Sequence, residues 1–190
     1  MNQKLTVCSI AGYCSVTTLW KIILDLSSEL LDKKSEYNKV LISNTVEIDG
    51  EDFHIADDNS KELVTEFNPP ERLEEFNEAA LVWSLGALVC YASSGHYVFG
   101  GRGGFYQAEH PDVELPVLRK DHSSITPLVQ RCLCYSPNQR ISLKELNDLA
   151  LRGYEEAKTT RRIETQQANS EDLAPSNEPL DYVWPEKMDY

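Results

Sequence analysis

The feature that most constrains the fold is a long apolar segment in the middle of the chain, residues 78–93 (EAALVWSLGALVCYAS). Its length suits a helix, and its apolar side chains fall on most faces of such a helix rather than along one stripe. A helix of that kind is buried on nearly all sides, so the sequence predicts a central helix enclosed by other elements. Gly86 within it costs about 1 kcal/mol relative to alanine, which indicates a closely packed neighbour. Ser94 and Gly95 favour the helix end.

Apolar periodicity predicts three more helices, and each begins with residues that can cap it. The predicted helices cover residues 16–32, residues 125–133, and residues from Ser142 to about Lys158. The candidate N-caps are Ser15 or Thr17 for the first, Ser123 or Ser124 for the second, and Ser142, in a capping box with Glu145, for the third. The helices therefore dominate the predicted fold.

Short alternating segments predict strands at residues 40–42, 46–48 and 53–56, with a tight turn at Asp49-Gly50 between the last two. These pieces are too short for a large sheet, so we expect small β-ribbons.

A glycine-rich stretch at residues 100–104 (GGRGG) lacks the ending of a phosphate-binding loop and does not lie between a strand and a helix. It predicts a flexible surface loop, in which Arg102 is a candidate for binding an acidic group of a partner.

Charge and cysteine content exclude several classes of function. The formal net charge is −13, which disfavours nucleic acid and anionic membrane surfaces as partners. The sequence has no run of 18 or more apolar residues that would span a membrane. Its five cysteines are odd in number and lack C-x-x-C and zinc-ligand spacing. We therefore expect reduced thiols in a cytoplasmic protein, without a bound metal.

The composition changes near residue 159, where polar and acidic residues take over. We therefore predict a domain over residues 1–158 and a tail over residues 159–190. The end of the tail is rich in aromatic residues, which are favoured anchors at interfaces; they include Tyr182, Trp184 and Tyr190. Three interpretations stay open: the tail is disordered, it docks on the domain's own groove, or it is a short motif that binds a partner.

Five segments in the middle of the chain resemble, in order and at suitable spacing, motifs of the lower lobe of protein kinases. They are residues 54–59 (HIADDN), 68–73 (NPPERL), 81–86 (LVWSLG), 94–100 (SGHYVFG) and 128–140 (LVQRCLCYSPNQR). They look like the D-F-G segment, the A-P-E motif, the start of the central helix, the loop after it, and the helix and turn whose arginine pairs with the A-P-E glutamate. The likeness covers roughly residues 15–157. It implies a mainly α-helical domain with small β-ribbons, built like a truncated kinase C-lobe without an N-lobe.

The chain departs from kinases at the positions that carry phosphoryl transfer. Residues 34–39 (KSEYNK) stand where H-R-D is expected, and Lys39 takes the place of the metal-binding asparagine. Asp57, Asp58 and Asn59 replace D-F-G, so a single carboxylate matches. Leu81 replaces the central-helix aspartate that holds the catalytic loop. Because phosphoryl transfer needs all of these groups, the resemblance implies a pseudokinase with no catalytic residues, no cofactor and no ATP binding.

The positions that do match are structural. Glu71 and Arg140 correspond to the ion pair that fastens the activation segment to the lower lobe. The chain also resembles the kinase non-catalytic C-lobe domain, which binds peptide segments of partner proteins. These resemblances imply a non-catalytic scaffold or regulatory domain with a protein or peptide partner. Loss of the upper lobe would leave apolar residues between 40 and 48 exposed unless something covers them.

Two other functions remain open at this level. The first is a regulatory half of a split pseudokinase, which binds nucleotide only with an N-lobe supplied by another chain. The second is an enzyme with an unrecognised site.

Overall fold

The computed structural model describes residues 5–33, 45–56, 65–71 and 77–171. Within them the α-helices are α1 (Val7–Ile10), α2 (Val16–Asp32), α3 (Glu78–Ser94), α4 (Gly103–Glu109), α5 (Thr126–Cys132) and α6 (Leu143–Glu171). The strands are β1 (Leu5–Thr6), β2 (Val46–Asp49) and β3 (Asp52–Ile55). Short 3-10 turns lie at Thr65–Phe67, Val98–Gly101, Lys120–His122 and Pro137–Gln139. The prediction of a mainly helical chain with small β elements is confirmed. The strand predicted at residues 40–42 lies outside the described residues.

The central position in the core belongs to α3, as predicted. Every residue from Ala80 to Ser93 is buried, which is why the segment is apolar on all faces. Asn77 caps the start of the helix, because its side chain accepts a hydrogen bond from the backbone N–H of Ala80 at 2.9 Å. It ends at Gly95 in the left-handed conformation, with φ of 73°.

The glycine inside α3 marks a close contact between helices. A Cβ atom at Gly86 would lie 2.7 Å from the Cβ of Cys132 on α5, a distance that real packing does not allow. The predicted close neighbour of Gly86 is therefore confirmed, and it is α5. Cys90 and Cys132 are both buried, and all five cysteines are free thiols.

The sheet is antiparallel in the order β1-β2-β3. Glu47 of β2 lies opposite His54 of β3. Within the described residues, the outer edge of β3 faces α2. Asp25 and Glu29 of α2 accept hydrogen bonds from the backbone N–H groups of Phe53 and Ile55, both at 2.9 Å. Positions i and i+4 on a helix are about 6 Å apart, close to the rise of two strand residues. The two carboxylates therefore match alternate amides along the edge.

The open apolar face that loss of an upper lobe would leave is not found on β2. Val46 is fully buried in the core, and Ile48 packs against it. The edge of β2 is paired with β1, with Leu5 opposite Ile48. Sequence periodicity missed β1 because a two-residue strand has no pattern of its own. Residues 40–44 lie outside the described residues.

The helix predicted around residues 125–133 is confirmed as α5, but its predicted side-chain cap is wrong. Neither Ser123 nor Ser124 caps it with a side chain, because Ile125 is the residue that precedes the helix. Backbone hydrogen bonds pair the first N–H groups instead. Those of Ile125 and Thr126 donate to the carbonyls of His122 and Ser123 at 3.1 and 3.3 Å. The preceding 3-10 turn therefore feeds directly into the helix.

The capping box at α6 forms only in part. The Ser142 hydroxyl accepts from the N–H of Glu145 at 3.2 Å. The Glu145 carboxylate instead accepts from Arg131 at 2.8 Å. A charge-assisted bond to a neighbouring helix has replaced the second, neutral half of the box.

The end of α6 was also predicted wrongly, because the helix continues from Lys158 to Glu171. The added residues contain no glycine or proline and include several good helix formers. The chain divides into two compact units, Met1–Lys158 and Thr159–Tyr190. This boundary falls where the composition changes, but it does not end the helix.

Candidate functional site

Arg140 fastens the segment that carries Glu71 to the rest of the domain. Its two terminal nitrogens donate to Glu71 Oε1 and Oε2, each at 2.7 Å. The remaining N–H groups donate to the carbonyls of Ala79 at 3.0 Å, Cys134 at 2.8 Å and Tyr135 at 3.0 Å. Five donors meet five acceptors, so the guanidinium is fully satisfied. The Arg140 side chain is 0% exposed and that of Glu71 is 21% exposed, which makes this a partly buried, bidentate pair.

The segment from Thr65 to Glu71 is held at other points as well. The Ser84 hydroxyl on α3 donates to the carbonyl of Phe67 at 2.9 Å. The N–H of Gly104 on α4 donates to the carbonyl of Asn68 at 2.8 Å. A Cβ at Gly104 would fall 2.2 Å from the carbonyl carbon of Pro69, so only glycine lets α4 approach this backbone.

The glycine-rich stretch is therefore not the flexible loop that the sequence predicted. It forms a 3-10 turn and the first turn of α4, in which Gly103 and Gly104 are buried. The glycines serve close packing and left-handed backbone, with φ of 65° at Gly100 and 81° at Gly101. Periodicity missed α4 because this helix is short and its buried face consists of two glycines and a glutamine.

That glutamine, Gln107, links α3, α4 and the end of α5. Its side-chain oxygen accepts from Trp83 Nε1 at 3.0 Å, and its Nε2 donates to the carbonyl of Leu133 at 2.7 Å. All of this lies in the core. Sequence reasoning missed Gln107, and the only available signal was that the buried Trp83 needs an acceptor for its N–H.

Three stacked rings lie along α4 and the turn before it, and we call them the aromatic ladder: Phe99, Tyr106 and His110. Ring centroids lie 6.2 Å apart between Phe99 and Tyr106 and 4.4 Å apart between Tyr106 and His110, with interplanar angles of 18° and 20°. Phe99 has a φ of 50°, an unusual conformation for a residue with a side chain. The ladder therefore includes a backbone position that its surroundings must hold in place.

Arg102 adds a cation to the aromatic ladder. Its guanidinium lies 5.6 Å from the centroid of the Tyr106 ring and donates to Glu109 Oε2 at 2.7 Å. Both charged side chains are more than half exposed, so their mutual pairing is weak. Phe105 is 51% exposed on the same helix, and together these residues present apolar, aromatic and cationic surface to solvent.

Of the other residues singled out from the sequence, one lies within the described residues and the rest lie outside them. Leu81 lies in the core with 2% of its surface exposed. Seven more lie outside the described residues: Lys39, Asp57, Asp58, Asn59, Tyr182, Trp184 and Tyr190. The structure thus brings together Glu71 and Arg140, and separately places Arg102 on the surface of α4.

The described parts of the chain contain neither a metal-binding cluster nor a membrane-spanning helix. Residues 5–33, 45–56, 65–71 and 77–171 contain no group of three or more His, Cys, Asp or Glu side chains arranged to hold a metal ion. Over those same ranges, none of the helices combines the length and apolar character that crossing a membrane requires.

Comparison with known proteins assigns the chain to no family. No protein-family model matches the sequence, and no curated protein matches it significantly. The likeness to kinase lower lobes therefore stays a prediction carried by the motifs of the sequence.

Proposed function

We propose that this chain is a non-catalytic, kinase-like interaction domain that binds a protein or peptide partner through the outer side of α4. The observation that carries the proposal is the surface on and next to the anchored helix α4, where Phe105, Arg102 and His110 are exposed and Phe99 and Tyr106 are partly buried. Aromatic residues and arginine are the side chains that most often dominate the energy of protein interfaces. A helix fixed by Gln107 and Gly104 presents them without a large cost in ordering on binding.

The burial of Leu81 supports the non-catalytic part of the proposal. In the kinase pattern that the sequence resembles, this position carries an aspartate that orients the catalytic loop. Here the side chain is apolar and enclosed by the core, so it can offer no hydrogen bond to a loop. The five free thiols support a reducing compartment, which we propose is the cytoplasm.

A partner that binds this surface should be lost when the surface is altered. We expect the double substitution Phe105→Ser with Arg102→Ala to reduce recovery of partners from native cells by about tenfold or more, because interface anchors commonly contribute about 2 kcal/mol or more. Recovery is measured by affinity capture of the tagged chain and quantitative mass spectrometry, after the variant's thermal midpoint has been checked.

Leu151→Ala is the matched control, since Leu151 is 50% exposed on α6, away from the aromatic ladder in sequence. It should leave recovery unchanged. The same capture with residues 159–190 removed assigns any partner to the domain or to the tail. Equal recovery by the double variant and the wild type would contradict the proposed surface.

Nucleotide binding by the isolated chain distinguishes the proposal from an enzyme or other domain with an unrecognised nucleotide site. A split pseudokinase, which needs an N-lobe from another chain, is expected to show no shift in this test either. We expect no change in the thermal midpoint of the isolated chain at millimolar ATP with Mg²⁺, whereas a ligand at 100 times its Kd stabilises a fold by about 2.7 kcal/mol. The measurement is differential scanning fluorimetry, with AMP as the matched nucleotide control. A saturable shift specific to ATP would reject the non-catalytic scaffold in favour of a nucleotide-binding domain.

A further inference from the structure

The second notable cluster surrounds His122, a histidine with no exposed surface. It lies where three parts of the domain meet: the end of α3, the 3-10 turn that contains it, and the N-terminal segment that precedes α2. Its Nδ1 shares a 2.7 Å hydrogen bond with the hydroxyl of Ser93 on α3. Its Nε2 is buried and has no hydrogen-bond partner within the described residues. Such orphaned buried polar atoms are uncommon and call for an explanation.

The N-terminal segment is attached to the domain around this ring. The N–H of Gly12 donates to the carbonyl of Ala92, next to Ser93, at 2.9 Å. The carbonyl of Gly12 accepts from Arg119, in the turn before His122, at 2.8 Å. Two residues further on, the thiol of Cys14 is buried and donates to the carbonyl of Ile10 at 3.4 Å. The turn that contains His122 is therefore linked to Gly12 through Arg119.

The groups around the ring favour its neutral form. Burial is the largest effect and lowers the pKa of His122 below its usual value, with the Arg119 guanidinium adding to that shift. The Asp121 carboxylate and the backbone of Cys14 oppose it. Asp121 lies 3.5 Å from Nε2, but its oxygens are already bonded to Arg119 at 2.6 and 3.2 Å. From α3 the described neighbour is the uncharged Ser93, and from the N-terminal segment it is Cys14.

The thiol of Cys14 is neutral over the same pH range, because burial raises its pKa to about 11, while Arg119 opposes part of that shift. It therefore gives His122 no anion to pair with in mild acid. A charged ring would have two N–H donors. Nδ1 has the Ser93 hydroxyl, whereas the Asp121 carboxylate near Nε2 is 3.5 Å away and already bonded to Arg119, and the backbone of Cys14 offsets only part of the effect of burial. This arrangement, which we call closed, therefore loses stability once the ring is protonated.

The direction of the effect follows from linkage. A histidine in the open or unfolded chain has a pKa of about 6.5, and in the closed arrangement the pKa of His122 is lower. The open form therefore binds the extra proton first. The contribution of the neutral ring is fully present above pH 6.5 and is lost progressively as the pH falls from there toward the pKa of the closed form.

We propose that His122 is a pH-sensitive latch on the N-terminal segment, which loosens residues 10–15 and exposes the Cys14 thiol in mild acid. This latch is independent of the interaction surface on α4. It would couple the environment of the chain to the accessibility of a single, otherwise buried thiol. The same movement would break the Gly12–Ala92 hydrogen bond and so free the start of the segment from α3.

The latch is tested by thiol labelling with a pyridyl disulfide between pH 7.5 and 5.5, with modified peptides quantified by mass spectrometry. Glutathione in the same reaction reports the intrinsic reactivity of a thiol at each pH, because Cys8 contacts Tyr91 of α3 at 3.6 Å and would itself respond to the movement. Cys90, buried in α3, reports global unfolding. We expect the labelling rate of Cys14 relative to glutathione to rise below pH 6.5 by up to about tenfold per pH unit, while the ratio for Cys90 stays constant.

Variants separate the ring from general acid effects. His122→Asn keeps a side-chain amide where Nδ1 bonds Ser93, and it should make the Cys14 ratio independent of pH. His96→Asn, at an exposed histidine, should retain the rise. If His122→Asn does not fold, an NMR titration of the His122 ring in the wild-type chain replaces it, and a pKa at or above 6.5 would overturn the latch. A flat Cys14 ratio in the wild type, or Cys14 and Cys90 rising together, would also overturn it.

Discussion

Replacing Arg140 with alanine is expected to lower the free energy of unfolding by about 3–5 kcal/mol, the range found when one partner of a buried ion pair is removed. The substitution leaves the carboxylate of Glu71 and three backbone carbonyls without their donor. Because Arg140 joins residues 65–71 to the start of α3 and the residues that follow α5, we also expect faster hydrogen exchange in residues 65–71 of the variant. The measurement is urea denaturation followed by circular dichroism at 222 nm.

Arg131→Ala is the matched control for this prediction. Arg131 pairs with Glu145 at 2.8 Å, but the two side chains are 46% and 50% exposed, so its loss should cost no more than about 1 kcal/mol. Glu71→Gln keeps an acceptor for Arg140, so its loss of unfolding free energy should lie between those of Arg140→Ala and Arg131→Ala. Equal losses for Arg140→Ala and Arg131→Ala would show that the Glu71 pair does not anchor the segment.

Placing an aspartate at position 81, as in the kinase pattern that the sequence resembles, is expected to unfold the domain rather than create an active site. Leu81 is 2% exposed, so Leu81→Asp removes buried apolar volume, worth about 2–5 kcal/mol, and places an unpaired carboxyl group in the core. The sum approaches the entire stability of a typical domain, about 5–15 kcal/mol. Urea denaturation and circular dichroism measure the loss.

Leu81→Met is the control with a similar volume and should cost less than about 1.5 kcal/mol. The informative comparison is between aspartate and methionine at the same site. A Leu81→Asp variant that stays folded and gains a thermal shift with ATP and Mg²⁺ would mean that the position still faces a functional loop. That outcome would contradict the non-catalytic function proposed above.

Local patterns predicted the parts of the fold whose residues carry their own signal. The helix at residues 16–32, its Ser15 cap and the hairpin around Asp49-Gly50 follow from periodicity and turn chemistry. The apolar composition of residues 78–93 predicted the central helix. Gly86 predicted that a neighbour packs closely against it, and that neighbour is α5. In each case short-range preferences and the final structure agree.

The parts that sequence reasoning missed depend on contacts between distant residues. The helix α4 exists because Gly104 fits against Pro69 and Gln107 reaches both Trp83 and Leu133. No spacing rule connects those positions. The pair Glu71–Arg140 was identified only through resemblance to a family, because 69 positions separate the two residues. The His122 cluster likewise joins residues from three separate stretches and had no sequence signal.

The contact between α2 and the edge of β3 has a consequence for the chain at high concentration. A sheet edge with unpaired amides can template the addition of strands from other molecules, which is one route to fibres and insoluble aggregates. Asp25 and Glu29 occupy the amides of Phe53 and Ile55 that such an incoming strand would need. Two acidic side chains on one helix thereby occupy the hydrogen-bonding positions at the β3 edge to which an incoming strand would add.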